Sequence, residues 1–346
     1  MSVEQRHRLI LRQVRDRGSA RVADLAEALG VSAVTLRRDV EQLATRGLLT
    51  RVHGGVTLPR DPAAPVPPAS GLTIGMLVPT AHYYYPAVIK GAQERAAGAG
   101  ARLVLGISRY DEAEDRAQVR RLVEGGADGL LLTPSRQLGD SHEEWLAGLR
   151  VPAVLVERRA DLASPASMAD AVASDHAHGA YLAVRHLAEL GHRRLALVAS
   201  PSPTTPRVRV GLVAAASSSA VTVAEEIVID RGRTDELVSG VLRLVRDEGV
   251  TGLLVHNDED ALSLVGQLSA EGVDIPGEVS LVAYDDEVAA FCSPSLTAVA
   301  PPKEEVGRCA VDLLITRLTR GSTAPGRHLA LLPELRARES TAPPSP

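Results

Sequence analysis

A chain of 346 residues with 45% apolar content has room for two or three folding units and a sizeable core, and it holds no apolar run long enough to cross a bilayer. Its two cysteines, Cys292 and Cys309, exclude a disulfide framework and lack metal-ligand spacing. The net charge of −5 divides unevenly: residues 1–60 hold eleven Arg and no Lys against six acids, a surplus of +5, which leaves −10 on the remainder. A basic head on an acidic body fits a head that meets a polyanion.

In chain order, the first predicted element is a helix between Val3 and Arg17, with Ile10 and Val14 four apart and a stop at Gly18. A second short helix, Val22 to Leu29, ends at Gly30. A third starts at Ser32, a good N-cap, and stacks Leu36, Val40 and Leu43 on one face. That face is core, so Arg38 points away from it while Thr35 and Arg37 flank the exposed surface. Two helices joined by a tight turn, the second exposing Thr and Arg, supply donors for base edges and cations for phosphates. After Gly47, the run LLTRVHGGVTLP predicts two short strands split by Gly54 and Gly55, a wing that places Arg51 and His53 near a phosphate backbone or minor groove.

Residues 59–70, PRDPAAPVPPAS, hold five prolines in twelve positions and predict a semi-rigid extended linker. Beyond it, short aliphatic runs alternate with helical stretches that end in glycine. The predicted strands are LTIGMLV (72–78), ARLVLGI (101–107), DGLLLTP (128–134), VPAVLVE (151–157), RRLALVAS (193–200), GLLVHND (252–258) and VSLVAYDD (279–286). LTAVAP, a helix from about Lys303 and one strand near HLALLPEL follow. Runs apolar on both faces and alternating with helices imply parallel sheets covered on both sides, and their number favours two lobes over one.

Ligands of open parallel sheets bind beyond the carboxyl ends of the strands. Those ends carry His82 and the stretch Tyr83–Tyr85, then Ser108, Arg109 and Tyr110, then Glu157 to Arg159, with Asn257, Asp258, Asp285 and Asp286 on later strands. Three adjacent tyrosines stand out in a chain with only eight aromatic residues. Carboxylates, an amide, guanidinium groups and phenols on one rim suit a neutral polyol. For each group the plain alternative is packing, helix capping or turn formation. His176 and His178 lie near Asp175 without a third ligand at metal spacing.

The stretch VSAVTLRRDVEQLATRGLLTRVHGGV resembles the winged helix-turn-helix head of DeoR-type transcriptional regulators over residues 4–57. The resemblance rests on Ser32, Thr35, Arg37, Arg38 and Asp39, then Gly47, Arg51, His53, Gly54 and Gly55, and it implies DNA contacts from Ser32, Thr35, Arg37, Arg38, Arg51 and His53. The segments IGMLVPTAHYYYPAVIKGAQERAAGAGARLVLG, EGGADGLLLTPS, HLAELGHRRLALV, LLVHNDEDAL and GVDIPGEVSLVAYDDEVAAFCSPSLTAV are similar to the effector-binding domain of LacI-type regulators, from Leu72 to Arg338. That resemblance implies effector contacts from the Tyr85 region, which includes Tyr84, and from Arg158, Asp175, Asn257 or Asp258, and Asp285, to which the strand-end rule adds Ser108. Where it calls for an Arg three residues before Gly211, this chain has Arg207 and Arg209 at four and two, and the following AAASSSAV is short for the usual helix. A DeoR-like head with a proline linker also departs from the LacI arrangement.

The expectation is a small α+β winged helix-turn-helix domain at 1–58, a Pro-rich linker at 59–70, and a two-lobed α/β periplasmic-binding-protein-like domain with parallel sheets at 71–340. Together they imply a cytoplasmic transcriptional regulator, more a repressor than an activator. Its expected partners are double-stranded operator DNA, a sugar, sugar alcohol or nucleoside effector, and a second copy in a homodimer. No cofactor, metal or membrane contact is expected. The alternatives are a sugar-phosphate-responsive regulator and a sugar-processing enzyme; the second lacks any G-x-G-x-x-G, Walker A or G-x-S-x-G motif.

Overall fold

The computed structural model describes residues 6–7, 9–11, 13–14, 19–45, 50–52, 55–57, 71–136, 145–146, 148–160, 165–230, 232–320 and 325–345. By internal contacts the chain divides into two compact units, Met1–Pro65 and Val66–Pro346. The expected linker at 59–70 falls outside the described residues.

In the first unit, Ile10 and Val14 pack with Leu25, Leu36, Val40 and Leu43 in one small core. The helices Val22–Leu29 and Ala33–Thr45 bracket a tight turn at Gly30, whose φ of 63° is a backbone state that glycine adopts without strain. Strands β1 (Ser19–Arg21), β2 (Thr50–Val52) and β3 (Gly55–Thr57) form an antiparallel sheet in the order β1-β3-β2. The expected wing hairpin is β2 and β3. Its partner β1 was not anticipated, because three residues of mixed polarity carry no period.

The second unit holds two six-stranded sheets. The first lobe contains β4 (Thr73–Val78), β5 (Arg102–Ile107), β6 (Gly129–Leu132), β7 (Ala153–Val156), β8 (Asp170–Ser174) and β14 (His328–Leu331), all parallel, in the order β14-β8-β7-β6-β4-β5. The second contains β9 (Arg194–Ala199), β10 (Thr222–Val228), β11 (Gly252–His256), β12 (Ser280–Tyr284), β13 (Thr297–Ala300) and β15 (Glu334–Arg336), in the order β10-β9-β11-β12-β13-β15. Here only β15 runs antiparallel to its neighbour. Period-2 alternation feeds a core on each face. On β4, Ile74, Met76 and Val78 join one cluster and Leu77 the opposite one; on β9, Leu195 and Leu197 face one way and Ala196 and Val198 the other.

The chain crosses between lobes three times: at Asp175, at Pro301–Pro302, and at Leu332–Pro333. The last crossing splits the single strand expected near HLALLPEL into β14 and β15, one per lobe. Two further strands escaped the sequence pattern. β8, DAVAS, is too small-residued to read as an aliphatic run, and β10, TVAEEIV, is an edge strand with two Glu in its middle. The short-looking AAASSSAV is the second half of a full helix, Thr205–Ser219, in which Ser217 and Ser218 return their hydroxyls to the carbonyls of Val213 and Ala215.

Candidate functional site

In the first unit, Ser32 acts as the expected cap: its Oγ accepts from the Thr35 N–H at 3.2 Å and lies 2.9 Å from Thr35 Oγ1. Two hydroxyls expected at DNA are therefore also engaged in starting the helix. Arg38 is exposed, whereas the side chains of Arg37 and Arg51, and His53 as a whole, lie outside the described residues. Asp39, the residue after Arg38 on the same helix, is buried, with Arg6 donating to it at 2.7 Å and His7 3.3 Å away. The Arg6 hydrogen bond holds the Asp39 carboxyl below its usual range despite the burial. Asp39 thus ties the N-terminal helix to the third helix and leaves the face bearing Arg38 open.

In the second unit, a cavity of about 120 Å³ opens between the lobes at the carboxyl ends of the strands. From the first lobe it is lined by Tyr83, Tyr84, Tyr85, Tyr110, Glu157 and Arg158; from the second by His176, Ser202, Pro203, Thr204, His256, Asn257 and Asp285. Among the described residues seven non-glycines have positive φ, and six of them follow strands that end at this rim: Tyr83, Arg109, Tyr110, Glu157, Asp285 and Asp286. Left-handed backbone costs bulky residues about 1–2 kcal/mol each, and such strain gathers where side chains must be aimed.

The three adjacent tyrosines have three different tasks. Tyr83 crosses the cleft, donating its hydroxyl to Asp258 with Asp285 Oδ2 at 3.3 Å. Tyr84 stays in its own lobe, donating to Glu157 Oε1 at 2.7 Å and lying 3.2 Å from Ser174 Oγ. Tyr85 begins the helix Tyr85–Gly98 with Pro86 behind it, packs edge-on against Tyr84 at 5.5 Å between ring centres, and lies beside Arg158. Burial raises all three phenols, Tyr85 to about 12, so each is a neutral donor at physiological pH.

Glu157 is the hub of the first lobe's rim. It is buried and accepts from Tyr84, from the Ser174 hydroxyl at 2.8 Å and from the Ser174 N–H at 3.0 Å, with His176 Nε2 3.4 Å from its other oxygen. Burial alone would raise its carboxyl, but His176, Tyr84 and Ser174 outweigh that and hold it below the usual range. Across the cleft Asp285 shows the reverse balance: burial pushes its carboxyl up to about 7 against the opposing pull of His176 and Lys303. Lys303 reaches the Asp285 carbonyl and the Glu287 carboxylate while its ammonium sits 5.2 Å above the Tyr84 ring. Burial, reinforced by His176, drives His256 down to about 3, which keeps it neutral.

Of the residues expected at an effector, Tyr84, Tyr85, Arg158, Asn257 and Asp285 converge on this cavity. Asp175 and Arg207 line a smaller recess that shares Glu157, Arg158 and His176 with it. Asp175 also caps the helix His176–Leu190 by accepting from the His178 N–H at 3.0 Å, and Asn257 Oδ1 caps the helix Asp258–Ala270. Three expected residues sit elsewhere. Ser108 is fully buried against Ser135 at 3.0 Å, since the tight turn after β5 folds its hydroxyl inward. Asp258 is equally buried because its Oδ2 accepts the main-chain N–H groups of Glu287, Val288 and Ala289 at 2.6 to 2.9 Å. Arg209 points away and pairs with Glu226 at 2.6 Å on the surface. Sequence reasoning placed Tyr83 and Glu157 on the rim without counting them among the effector contacts, and it left out His176 and His256. The signal for His256 was present: a histidine closing a wholly apolar strand, directly before Asn257.

Among the described residues no cluster of His, Cys, Asp and Glu could hold a metal ion, and no helix is long and apolar enough to cross a membrane.

Residues 6–61 match the DeoR-like helix-turn-helix domain, and residues 184–341 match the periplasmic binding protein-like domain. Over whole chains, the protein is 26% identical to the arabinose metabolism transcriptional repressor of Geobacillus stearothermophilus, covering 92% of this chain and 90% of that one. It is 27% identical to the HTH-type transcriptional repressor PurR of Vibrio atlanticus, over 86% and 92%. Among solved structures it resembles a LacI family transcriptional regulator from Enterococcus faecium with bound ribose, at 25% identity and a TM-score of 0.64, covering 78% of this chain and 99% of that one.

Proposed function

For a chain that joins a DeoR-like helix-turn-helix domain to a periplasmic binding protein-like domain, we propose the role of a cytoplasmic repressor whose DNA affinity is set by a small polar metabolite in the cleft. The observation that carries this reading is the interlobe cavity itself, where tyrosine rings and polar groups from both lobes converge. The repressors and the ribose-bound regulator it resembles support the same assignment. The head spans residues 1–58, the linker 59–70 and the sensor 71–340.

Arg38, on the open face of the third helix, reads or grips the operator, with Arg37, Arg51 and His53 beside it. The effector lies under Tyr84 and Tyr85, against Arg158, Asn257 and Asp285. Its binding fixes the distance between the lobes, because it touches both rims where the Tyr83 hydroxyl now reaches across. In a homodimer a change in either lobe alters the spacing of two heads on a palindromic site.

A thermal-shift screen with monosaccharides, sugar alcohols and nucleosides tests the reading, because a ligand at 100 times its dissociation constant adds about 2.7 kcal/mol of stability. A hit that also changes the affinity for DNA is expected. No stabilisation by any compound from a well-folded protein would remove the cleft as an effector site.

A further inference from the structure

The cleft is rich in carboxylates by sequence, yet the structure leaves little of that acceptor capacity for a ligand. Glu157 is saturated by Tyr84, Ser174 and His176. Asp258 is consumed by three main-chain N–H groups and Tyr83, and Asp175 caps a helix. Asp285 lies 3.3 Å from the Tyr83 hydroxyl and, with its carboxyl raised to about 7 by burial, is partly neutral under ordinary conditions.

Donors, in contrast, are in surplus. Arg158 is buried and its hydrogen bonds go to the carbonyls of Pro134 and Glu157, both at 2.8 Å, so no carboxylate neutralises it there. Arg207, on the wall of the adjoining recess, makes no side-chain hydrogen bond or ion pair among the described residues. The Asn257 amide nitrogen likewise has no partner among them, its oxygen alone being used in the cap. His176 is 5% exposed, lines both the cavity and the recess, and, beyond the 3.4 Å approach of Nε2 to Glu157, has no hydrogen-bond partner on either ring nitrogen. Three helices also begin at this lining, at His176, Thr205 and Asp258, and direct the positive ends of their dipoles toward it.

We infer that the effector is a polyhydroxylated anion: its carboxylate or phosphate occupies the recess beside Arg207, Arg158 and His176, and its hydroxyls fill the cavity between the tyrosines and Asn257. The inference rests on the cleft being an effector site and narrows the class of molecule it takes. An anionic oxygen group gives the Arg158 and Arg207 guanidiniums a charge-assisted acceptor, a stronger partner than a neutral sugar hydroxyl.

The test uses isothermal titration of the full-length protein with three matched series: ribose, ribonate and ribose 5-phosphate; the arabinose equivalents; and the glucose equivalents with gluconate and glucose 6-phosphate. In at least one series an anion is expected to bind ten times or more tighter than its neutral parent, and to lose affinity as salt is added. Whether the carboxylate or the phosphate wins identifies the source of the charge. Arg207→Gln, a substitution at an exposed side chain, is expected to weaken the preferred anion by about tenfold to a hundredfold. Neutral sugars that bind as well as or better than their anions overturn this inference and leave the cleft-effector reading standing. No heat from any of the nine compounds overturns both. An anion whose affinity is untouched by Arg207→Gln refutes the placement.

Discussion

The two lobes match strand for strand, β4 with β9, β5 with β10 and β6 with β11, yet they bring different chemistry to the rim. The first lobe supplies phenols and a guanidinium and satisfies its one carboxylate internally, through Tyr84 and Ser174. The second supplies His176, a neutral His256, an amide and a carboxyl half-way to neutral. The same parallel-sheet plan therefore produces a donor wall facing a titratable wall. The difference arises in the residues that follow the strands, among which Tyr83, Tyr110, Glu157 and Asp285 line the cleft from positive φ.

The likeness of the lobes extends to their helix pairs. A Cβ on Gly91 would lie 1.9 Å from the Glu304 carbonyl, and one on Gly211 would lie 1.9 Å from the Ala177 carbonyl, so each lobe closes one helix against another through glycine. Gly91→Val and Gly211→Val are each expected to cost about 3 kcal/mol or more, because main chain must move to make room. Urea denaturation measures the loss. Hydrogen exchange should place it in the strands of the affected lobe alone, and uniform acceleration in both lobes would contradict their separate cores.

A sharper contrast lies in adjacent tyrosines. Tyr83→Phe removes the phenol that joins the lobes and leaves Asp258 short of a donor, while Tyr84→Phe removes one donor to Glu157 inside the first lobe. Each is expected to cost about 1–3 kcal/mol. Only Tyr83→Phe should increase the sensor's radius of gyration in small-angle scattering. Equal scattering from both variants would deny Tyr83 its bridging role.

Facing titratable groups give a pH signature of smaller size. Asp285 rises from 3.8 to about 7 in the folded state, so between about pH 4 and 7 the folded chain holds the extra proton and this group's contribution falls as pH rises. His256 falls from 6.5 to about 3, so between those values the unfolded chain holds the extra proton and stability rises with pH. The two oppose each other from about pH 4 to 6.5. Asp285→Asn is expected to steepen the rise in stability across that window, and an unaltered slope would contradict the burial of a raised carboxyl.

The smallest effect is expected at the surface. Arg209→Ala breaks an exposed pair with Glu226 and should cost at most about 1 kcal/mol, with no change in effector affinity. Loss of effector affinity would return Arg209 to the cleft.

Most of the architecture was legible because buried parallel strands such as TIGMLV and GLLVH are apolar on both faces and hardly any other element reads that way. β8 and β10 were not, since Ala-rich and Glu-bearing strands owe their place to neighbours rather than to their own pattern. At the site the same division holds. The strand-end rule found the rim, and with it Tyr84, Tyr85, Arg158, Asn257 and Asp285. It could not tell that Asp258 and Ser108 turn inward, because that depends on which main-chain N–H groups and hydroxyls lie across the fold. Nor could it tell Arg207 from Arg209, which are separated by about 200° around one helix, so that one faces the recess and the other solvent.

The most direct test of the whole account is selection of bound fragments from a genomic DNA library, followed by titration of the enriched site with wild-type protein and Arg38→Ala. The account predicts enrichment of a palindromic site, weaker binding by the variant and a salt dependence reduced by about one phosphate contact. Fragments retained without sequence preference, or equal binding and salt slope for the two proteins, would contradict it.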